Sequence, residues 1–258
     1  MNANPSLGLP HALSGQVALV TGATSGLGRR FATVLAEAGA AVLVAGRREA
    51  RLRQVTDEIS SAGFKCVGMA VDVSQPCQFA EVLDRAEAAF GPITILVNNA
   101  AIPDAQRAHR MPLQLIDAVI DTNLRGPFAL TCEIARRLIV KELPGRIINI
   151  SSMGAYYYEG DGAALYSITK AAINRMTEVL AVEWVRYGIN VNAIAPGAFM
   201  TEMMEGRIER VGNFTDSLPR KRIGDPTQLD TTLLYLALPA SEFVTGTIVK
   251  VDDGQFPR

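Results

Sequence analysis

Tyr166 and Lys170 stand four apart in the run Tyr166-Ser167-Ile168-Thr169-Lys170. In a helix that spacing sets both on one face. A free phenol titrates near 10 and is a poor base at neutral pH. An ammonium beside it favours the phenolate and lowers that value. The pair therefore suits proton exchange with an alcohol or ketone oxygen. Taken by itself, a Tyr-x3-Lys pair is more often a solvated helix face, so its surroundings decide. A second group lies far upstream, in Thr21-Gly22-Ala23-Thr24-Ser25-Gly26-Leu27-Gly28. A helix that starts in such a turn points free N–H groups and its positive dipole end at an anion. The glycines let a pyrophosphate come close to the backbone. The spacing is Gly-x3-Gly-x-Gly, and no Lys-Ser/Thr follows the last glycine, so the turn is not a P-loop.

These groups need elements to hold them. Apolar runs at residues 17–20, 42–45, 67–71, 93–97, 146–150, 189–194 and 247–251 read as buried strands. Between them apolar residues recur at helical spacing, as in Phe31, Val34, Leu35 and Ala38, or Leu52, Val55 and Ile59. Residues 113–143 read as largely helical with a break near Gly126-Pro127, and 164–187 and 227–238 as further helices. Strands buried on both faces and separated by helices imply a parallel sheet covered on each side. Right-handed crossovers make it a single doubly wound α/β sheet of about seven strands. Residues 1–15 are expected to be a flexible leader and 16–258 a single domain. Residues 198–222 are the least periodic stretch and are expected to act as a substrate lid.

The two motifs then share one location, because ligands of such sheets bind at the carboxyl ends of the strands. Ser151 and Ser152 end the fifth strand. Asn98-Asn99-Ala100-Ala101 ends the fourth, and Pro196-Gly197 with Thr201 follows the sixth. Asn123 is a polar residue in the middle of a helix. Composition agrees with a large apolar core: 258 residues, 48% hydrophobic and 20% charged. Those figures exclude disorder, collagen and coiled coil. A net charge of −1 argues against nucleic acid as a partner. Three scattered cysteines and two histidines offer no disulfide framework and no metal-ligand spacing. No run of 18 apolar residues would cross a membrane, and residues 1–10 do not resemble a secretory signal. A cytoplasmic location is expected.

In this order, the glycine turn, Asn-Asn-Ala, serine, Tyr-x3-Lys and Pro-Gly-x3-Thr resemble the short-chain dehydrogenase/reductase family over residues 14–254. The resemblance implies hydride transfer between a nicotinamide cofactor and a secondary alcohol or ketone. Ser152, Tyr166, Lys170 and Asn123 would be catalytic, Ser152 holding the substrate oxygen and Asn123 supporting a water that leads protons to Lys170. Gly22, Gly26 and Gly28 would hold the cofactor diphosphate, with Thr24, Ser25 and Leu27 beside them. Asp72 and Val73 would lie by the adenine, Asn98 and Ala100 by the ribose. Lys170 and Tyr166 would also touch the nicotinamide ribose, with Pro196, Gly197 and Thr201 at the carboxamide end. The family has thirteen positions from serine to tyrosine, whereas Ser152 to Tyr166 is fourteen. Ser152 is therefore chosen over Ser151, with one residue inserted within 153–165. Ala101 stands where the family has glycine.

The end of the second strand selects the cofactor. NAD-binding members of this fold place an acid there for the 2′-hydroxyl, and an arginine suits the 2′-phosphate of NADP. Here Gly46-Arg47-Arg48 follows the strand, with no acid. Arg47 is expected to fork onto the phosphate, assisted by Arg48 or Thr24. NADP is favoured, with NAD as the alternative. The substrate is a small molecule, with a ketone or 3-oxoacyl compound favoured over a sugar or polyol; a non-catalytic regulator has no need of all three catalytic groups. Tyr156-Tyr157-Tyr158 either stack on substrate or pack on the protein. Arg107, His109 and Arg110 read as a solvated basic loop, with contact to an acidic substrate or an acyl carrier as the alternative. By resemblance the chain assembles as a homotetramer, with a dimer as the alternative.

Overall fold

Seven apolar runs pair side by side in this computed structural model, which describes residues 11–158, 160 and 162–255. The strands are β1 (Val17–Thr21), β2 (Ala41–Gly46), β3 (Cys66–Ala70), β4 (Ile95–Asn98), β5 (Gly145–Ile150), β6 (Ile189–Pro196) and β7 (Ile248–Val251). They form one sheet in the order β3-β2-β1-β4-β5-β6-β7, and every pairing is parallel. Each crossover runs through helix. The helices are α1 (Gly26–Glu37), α2 (Glu49–Ser61), α3 (Phe79–Phe90), α4 (Leu113–Ile120), α5 (Gly126–Val140), α6 (Ala164–Trp184), α7 (Glu202–Val211) and α8 (Asp230–Ala237). Alternate strand residues face two separate apolar clusters. Phe31, Leu35, Val55 and Leu233 fill one, and Leu83, Ile134, Leu138 and Trp184 the other. The sheet is thus buried on both faces, as near-continuous apolar strands require.

Strand order reverses between β1 and β4, so the crevice for a ligand opens there. Two residues pin this junction. Thr21 donates its hydroxyl to the Val97 carbonyl and accepts the N–H groups of Asn99 and Ala100 at 3.0 and 3.1 Å. Asn99 donates its amide to the Thr21 and Gly22 carbonyls at 2.9 and 3.2 Å. The sheet edge and the glycine turn are therefore one rigid unit.

Three expectations need correction. Residues 11–15 are no flexible leader: Leu13 is fully buried and donates its N–H to the Ala38 carbonyl at 2.8 Å. Residues 1–10 lie outside the described residues. The helix does not break at Gly126-Pro127. It widens one turn earlier into a π turn at Asp121–Arg125, where the Gly126 N–H reaches back five residues to Asp121. Pro127 has no N–H to continue the ordinary ladder, and the widened turn absorbs that loss. Gly126 is needed for another reason: a Cβ there would stand 2.2 Å from the Val73 carbonyl oxygen. Thirdly, 198–222 is not wholly irregular, because α7 forms inside it. Among the described residues no helix is long and apolar enough to cross a membrane.

Candidate active site

A cleft of about 680 Å³ runs along the carboxyl ends of the strands and is lined from both motifs. Its floor is the glycine turn. Gly22 and Gly26 have φ of +64° and +51°, which only glycine adopts without strain. Ser25 precedes α1 but makes no side-chain cap, and the first turn of α1 holds no acid. The opening N–H groups of α1 thus remain directed at the cleft, as an anion site requires. Thr24, Ser25, Gly26 and Leu27 line that end, and Asp72, Val73, Ala100 and Ala101 line its flank. These groups fit a dinucleotide.

Gly28 does not line the cleft. A Cβ there would stand 2.4 Å from both the Asn99 amide and the Gly22 carbonyl oxygen, so this glycine lets the helix close against the turn. Asn98 is a clearer correction. It is buried below the cleft, and its amide nitrogen donates to Thr131 Oγ1 at 2.7 Å and Asn149 Oδ1 at 2.9 Å. Asn149 in turn donates to Thr177. This polar ladder ties β4 and β5 to the helices beneath. The neighbour Asn99 faces the cleft instead, because successive strand residues point to opposite faces.

At the other end stand Ser152, Tyr166 and Lys170. Lys170 donates from Nζ to the Ile150 carbonyl at 2.7 Å, and Nζ sits 5.6 Å from the centre of the Tyr166 ring. Ser151 is turned away, its hydroxyl donating to the Lys170 carbonyl at 3.1 Å. Ser152 hydrogen-bonds the Tyr166 side chain and accepts the Gly154 N–H at 3.0 Å. The structure thus brings Ser152, not Ser151, to the tyrosine.

The titration of the pair departs from the expectation. Burial raises the Tyr166 phenol above its ordinary range; the Ser152 hydrogen bond opposes this and the Asp104 charge adds to it. The phenol is therefore held neutral rather than poised as phenolate. Lys170 is pushed down to about 8 by burial.

Asn123 is fully buried. Its side chain is enclosed: Oδ1 accepts the Ile102 N–H at 2.8 Å and Nδ2 donates to the Ile102 carbonyl at 2.9 Å. A longer contact of 3.4 Å reaches Thr169. It clamps the loop after β4 and does not touch Lys170 through its amide.

Three contributors were not singled out from sequence. Asn99 is the first. Asp104 is the second: Oδ2 accepts the N–H groups of Leu165 and Tyr166 at 2.8 and 3.3 Å, which begin α6. Ala163, the residue before that helix, offers no cap of its own. A distant carboxylate therefore fixes the helix carrying Tyr166 and Lys170. The third is Glu202, which meets Arg48.

Arg47 and Arg48 both line the cleft. Arg47 is mostly exposed and reaches only to 3.9 Å of Asp72. Arg48 donates from Nε and Nη2 to Thr24 Oγ1 at 3.1 and 2.7 Å, and from Nη2 to Ser25 Oγ at 2.8 Å. It lies against the phosphate end of the cleft. The cleft is lined as well by Tyr157, Tyr158, Phe199, Met203 and Met204. Tyr156 instead lies under Lys250, at 4.0 Å. Arg107, His109 and Arg110 are exposed and outside the cleft lining. Pro196 and Gly197 line the cleft, and Thr201 caps α7 by accepting the Met204 N–H at 3.2 Å.

A doubly wound sheet with a phosphate turn at its switch point and a Ser-Tyr-Lys group beside it defines a dinucleotide-dependent oxidoreductase class. Residues 16–211 match the family model described as short chain dehydrogenase, and the chain belongs to that family. It is 33% identical over 249 residues to a 2-dehydro-3-deoxy-D-gluconate 5-dehydrogenase of Dickeya dadantii, covering 95% of this chain and 97% of that protein. It is 33% identical over 243 residues to a 3-oxoacyl-(acyl-carrier-protein) reductase of Staphylococcus epidermidis, covering 93% and 98%. A gluconate 5-dehydrogenase of Burkholderia cenocepacia, solved in complex with NADP and tartrate, matches with a TM-score of 0.89 and 33% identity, over 96% of this chain and 98% of that one.

Proposed function

We propose that the protein is an NADP(H)-dependent oxidoreductase that interconverts a secondary alcohol and a ketone, with Tyr166 as the proton-transferring group. The observation that carries this reading is Tyr166 set between Ser152 and Lys170 in a cleft that continues to an uncapped helix start. When bound, the nicotinamide supplies or accepts the hydride. In reduction Tyr166 gives its phenolic proton to the carbonyl oxygen. Ser152 donates to the same oxygen as negative charge builds there. Lys170 stays beside the tyrosine ring and favours the phenolate left behind. Asn123 and Asp104 act as positioning residues, one for the loop after β4 and one for the start of α6. Gly22, Gly26, Thr24, Ser25, Leu27 and Arg48 hold the phosphates. Asp72, Val73 and Ala100 flank the adenosine, and Pro196, Gly197 and Thr201 the nicotinamide.

The substrate we favour is a ketone with an apolar body, because Tyr157, Tyr158, Phe199 and Met203 line the cleft that holds Tyr166. A sugar acid is the second reading, favoured by Arg207 and Arg210, which line the same cleft. Residues 198–222 act as a lid in both. Nicotinamide absorbance across a panel of apolar ketones, 3-oxoacyl thioesters and keto-acids, with each cofactor, tests the proposal. Turnover of none of them would refute it.

We further propose a homotetramer in the cytoplasm. Val140 on α5 and Val182 on α6 are each 78% exposed, and Ile168 is exposed on the same helix as Val182. Such apolar positions on two long helices suit an isologous contact. Free Cys66, Cys77 and Cys132 suit a reducing compartment. The apolar tail at residues 247–256 would extend this contact, and its end, Phe256, lies outside the described residues. Light scattering that finds a monomer at micromolar concentration would refute the assembly.

A further inference from the structure

Arg48 carries more than cleft contacts. Its Nη1 donates to Glu202 Oε2 at 3.1 Å, and Arg51 donates to Glu202 Oε1. Glu202 is the first residue of α7, so this pair ties the lid segment to α2. Burial tends to raise the Glu202 carboxyl, but hydrogen bonds from Arg51, Arg48 and Ser25 outweigh it and hold the carboxyl below its ordinary range. The carboxylate therefore stays charged at the mouth of the phosphate end.

A guanidinium offers five N–H donors in a fixed fork. On Arg48, Nε and Nη2 are already given to Thr24 and Ser25, and Nη1 to Glu202. An arriving 2′-phosphate takes two such donors at once. Thr24 and Ser25 are neutral partners that a phosphate can share. Glu202 is a like charge beside the same arginine and must be displaced or tolerated. Neither penalty falls on an adenosine with a bare 2′-hydroxyl. Resting on the cofactor reading above, we propose that Glu202 is a specificity-determining residue: a tethered carboxylate that competes with the 2′-phosphate for Arg48 and so weakens NADP relative to NAD.

The test is calorimetric binding of 2′,5′-ADP and 5′-ADP, which differ only in the 2′-phosphate, to the full chain and to Glu202→Gln. The amide keeps the size of the side chain and removes its charge. Exposed ion pairs of this kind are weak, and the phosphate is close to doubly charged. The variant should bind 2′,5′-ADP about five-fold more tightly and leave 5′-ADP unchanged. Glu202 is exposed, so melting of the variant should match wild type. Equal tightening of both ligands, or no change, would overturn the proposal. Weaker binding of 2′,5′-ADP would overturn it as well, since Glu202 would then be holding Arg48 in place for the phosphate. The NADP reading fails on a different result: wild type binding 2′,5′-ADP no better than 5′-ADP, with Arg48→Ala indifferent to both. A selective gain in Glu202→Gln would still uphold the competition in that case.

Discussion

Replacing Asp104 by Asn should damage both the stability and the pH profile of the enzyme, for separable reasons. Oδ2 of Asp104 accepts two N–H groups in the first turn of α6, and Oδ1 accepts the Ala105 N–H at 2.9 Å. Asparagine has one accepting oxygen, so its NH2 must face one of these donor sets. A bond to a charged acceptor contributes about 1.5–3 kcal/mol, and losing a helix cap costs about 0.5–2 kcal/mol. A loss of about 2 kcal/mol is expected, read as a fall of about 4–8 °C in Tm for a chain of this length. The charge acts on Tyr166 as well. Asp104 helps raise the phenol, so removing its charge lowers the phenol's pKa. Reduction needs the protonated phenol; the alkaline limb of kcat should therefore move to lower pH in Asp104→Asn. Scanning calorimetry and a pH series of ketone reduction measure the two effects. An unchanged Tm together with an unmoved alkaline limb would refute the assignment.

Arg48→Ala should raise KM for NADPH about ten-fold while NADH changes little, and Arg47→Ala should do less, because Arg48 holds Thr24 and Ser25 whereas Arg47 is mostly exposed; steady-state kinetics with both cofactors decides. Lys170 titrates at about 8 in the fold against 10.5 as its ordinary value. A depressed value means the folded state binds fewer protons between those limits, so stability gains with rising pH there and the gain is lost as pH falls through about 8. Against Lys170→Met, wild type should gain about 3 kcal/mol between pH 8 and 10.5 in urea unfolding. Gly126→Ala should destabilise by about 1–3 kcal/mol despite the better helix former, since the new Cβ meets the Val73 carbonyl at 2.2 Å; a neutral or raised Tm would contradict this.

Much of the fold was legible because parallel strands buried on both faces are continuous apolar runs. Leu43 and Val44, or Ile147 and Ile148, are hidden from water on opposite faces. The break placed at Gly126-Pro127 illustrates what was not legible. Residue type signals a helix breaker, yet the glycine answers a contact with Val73, far along the chain, and the proline is absorbed by a widened turn. The leader was misjudged for a similar reason: one leucine, Leu13, is enough to anchor a turn of otherwise weak signals. In the site, the residues whose chemistry is fixed by local spacing were readable, as with Gly22, Gly26, Tyr166 and Lys170. Residues whose role depends on which way they point were not. Asn98 and Asn99 are neighbours of one type, and the pleat alone sends one to the core and the other to the cleft. Asp104 and Glu202 work across 61 and 154 positions of sequence, where no local pattern could reveal them.

The central claim is that Tyr166 moves the proton and does little for cofactor binding. Tyr166→Phe removes one hydroxyl and leaves the ring beside Lys170. Ketone reduction by this variant should fall by about 10²–10⁴ in kcat, while fluorescence titration finds NADPH bound within about two-fold of wild type. A variant that keeps more than about a tenth of wild-type turnover would contradict the account, since loss of a general acid costs at least about 10².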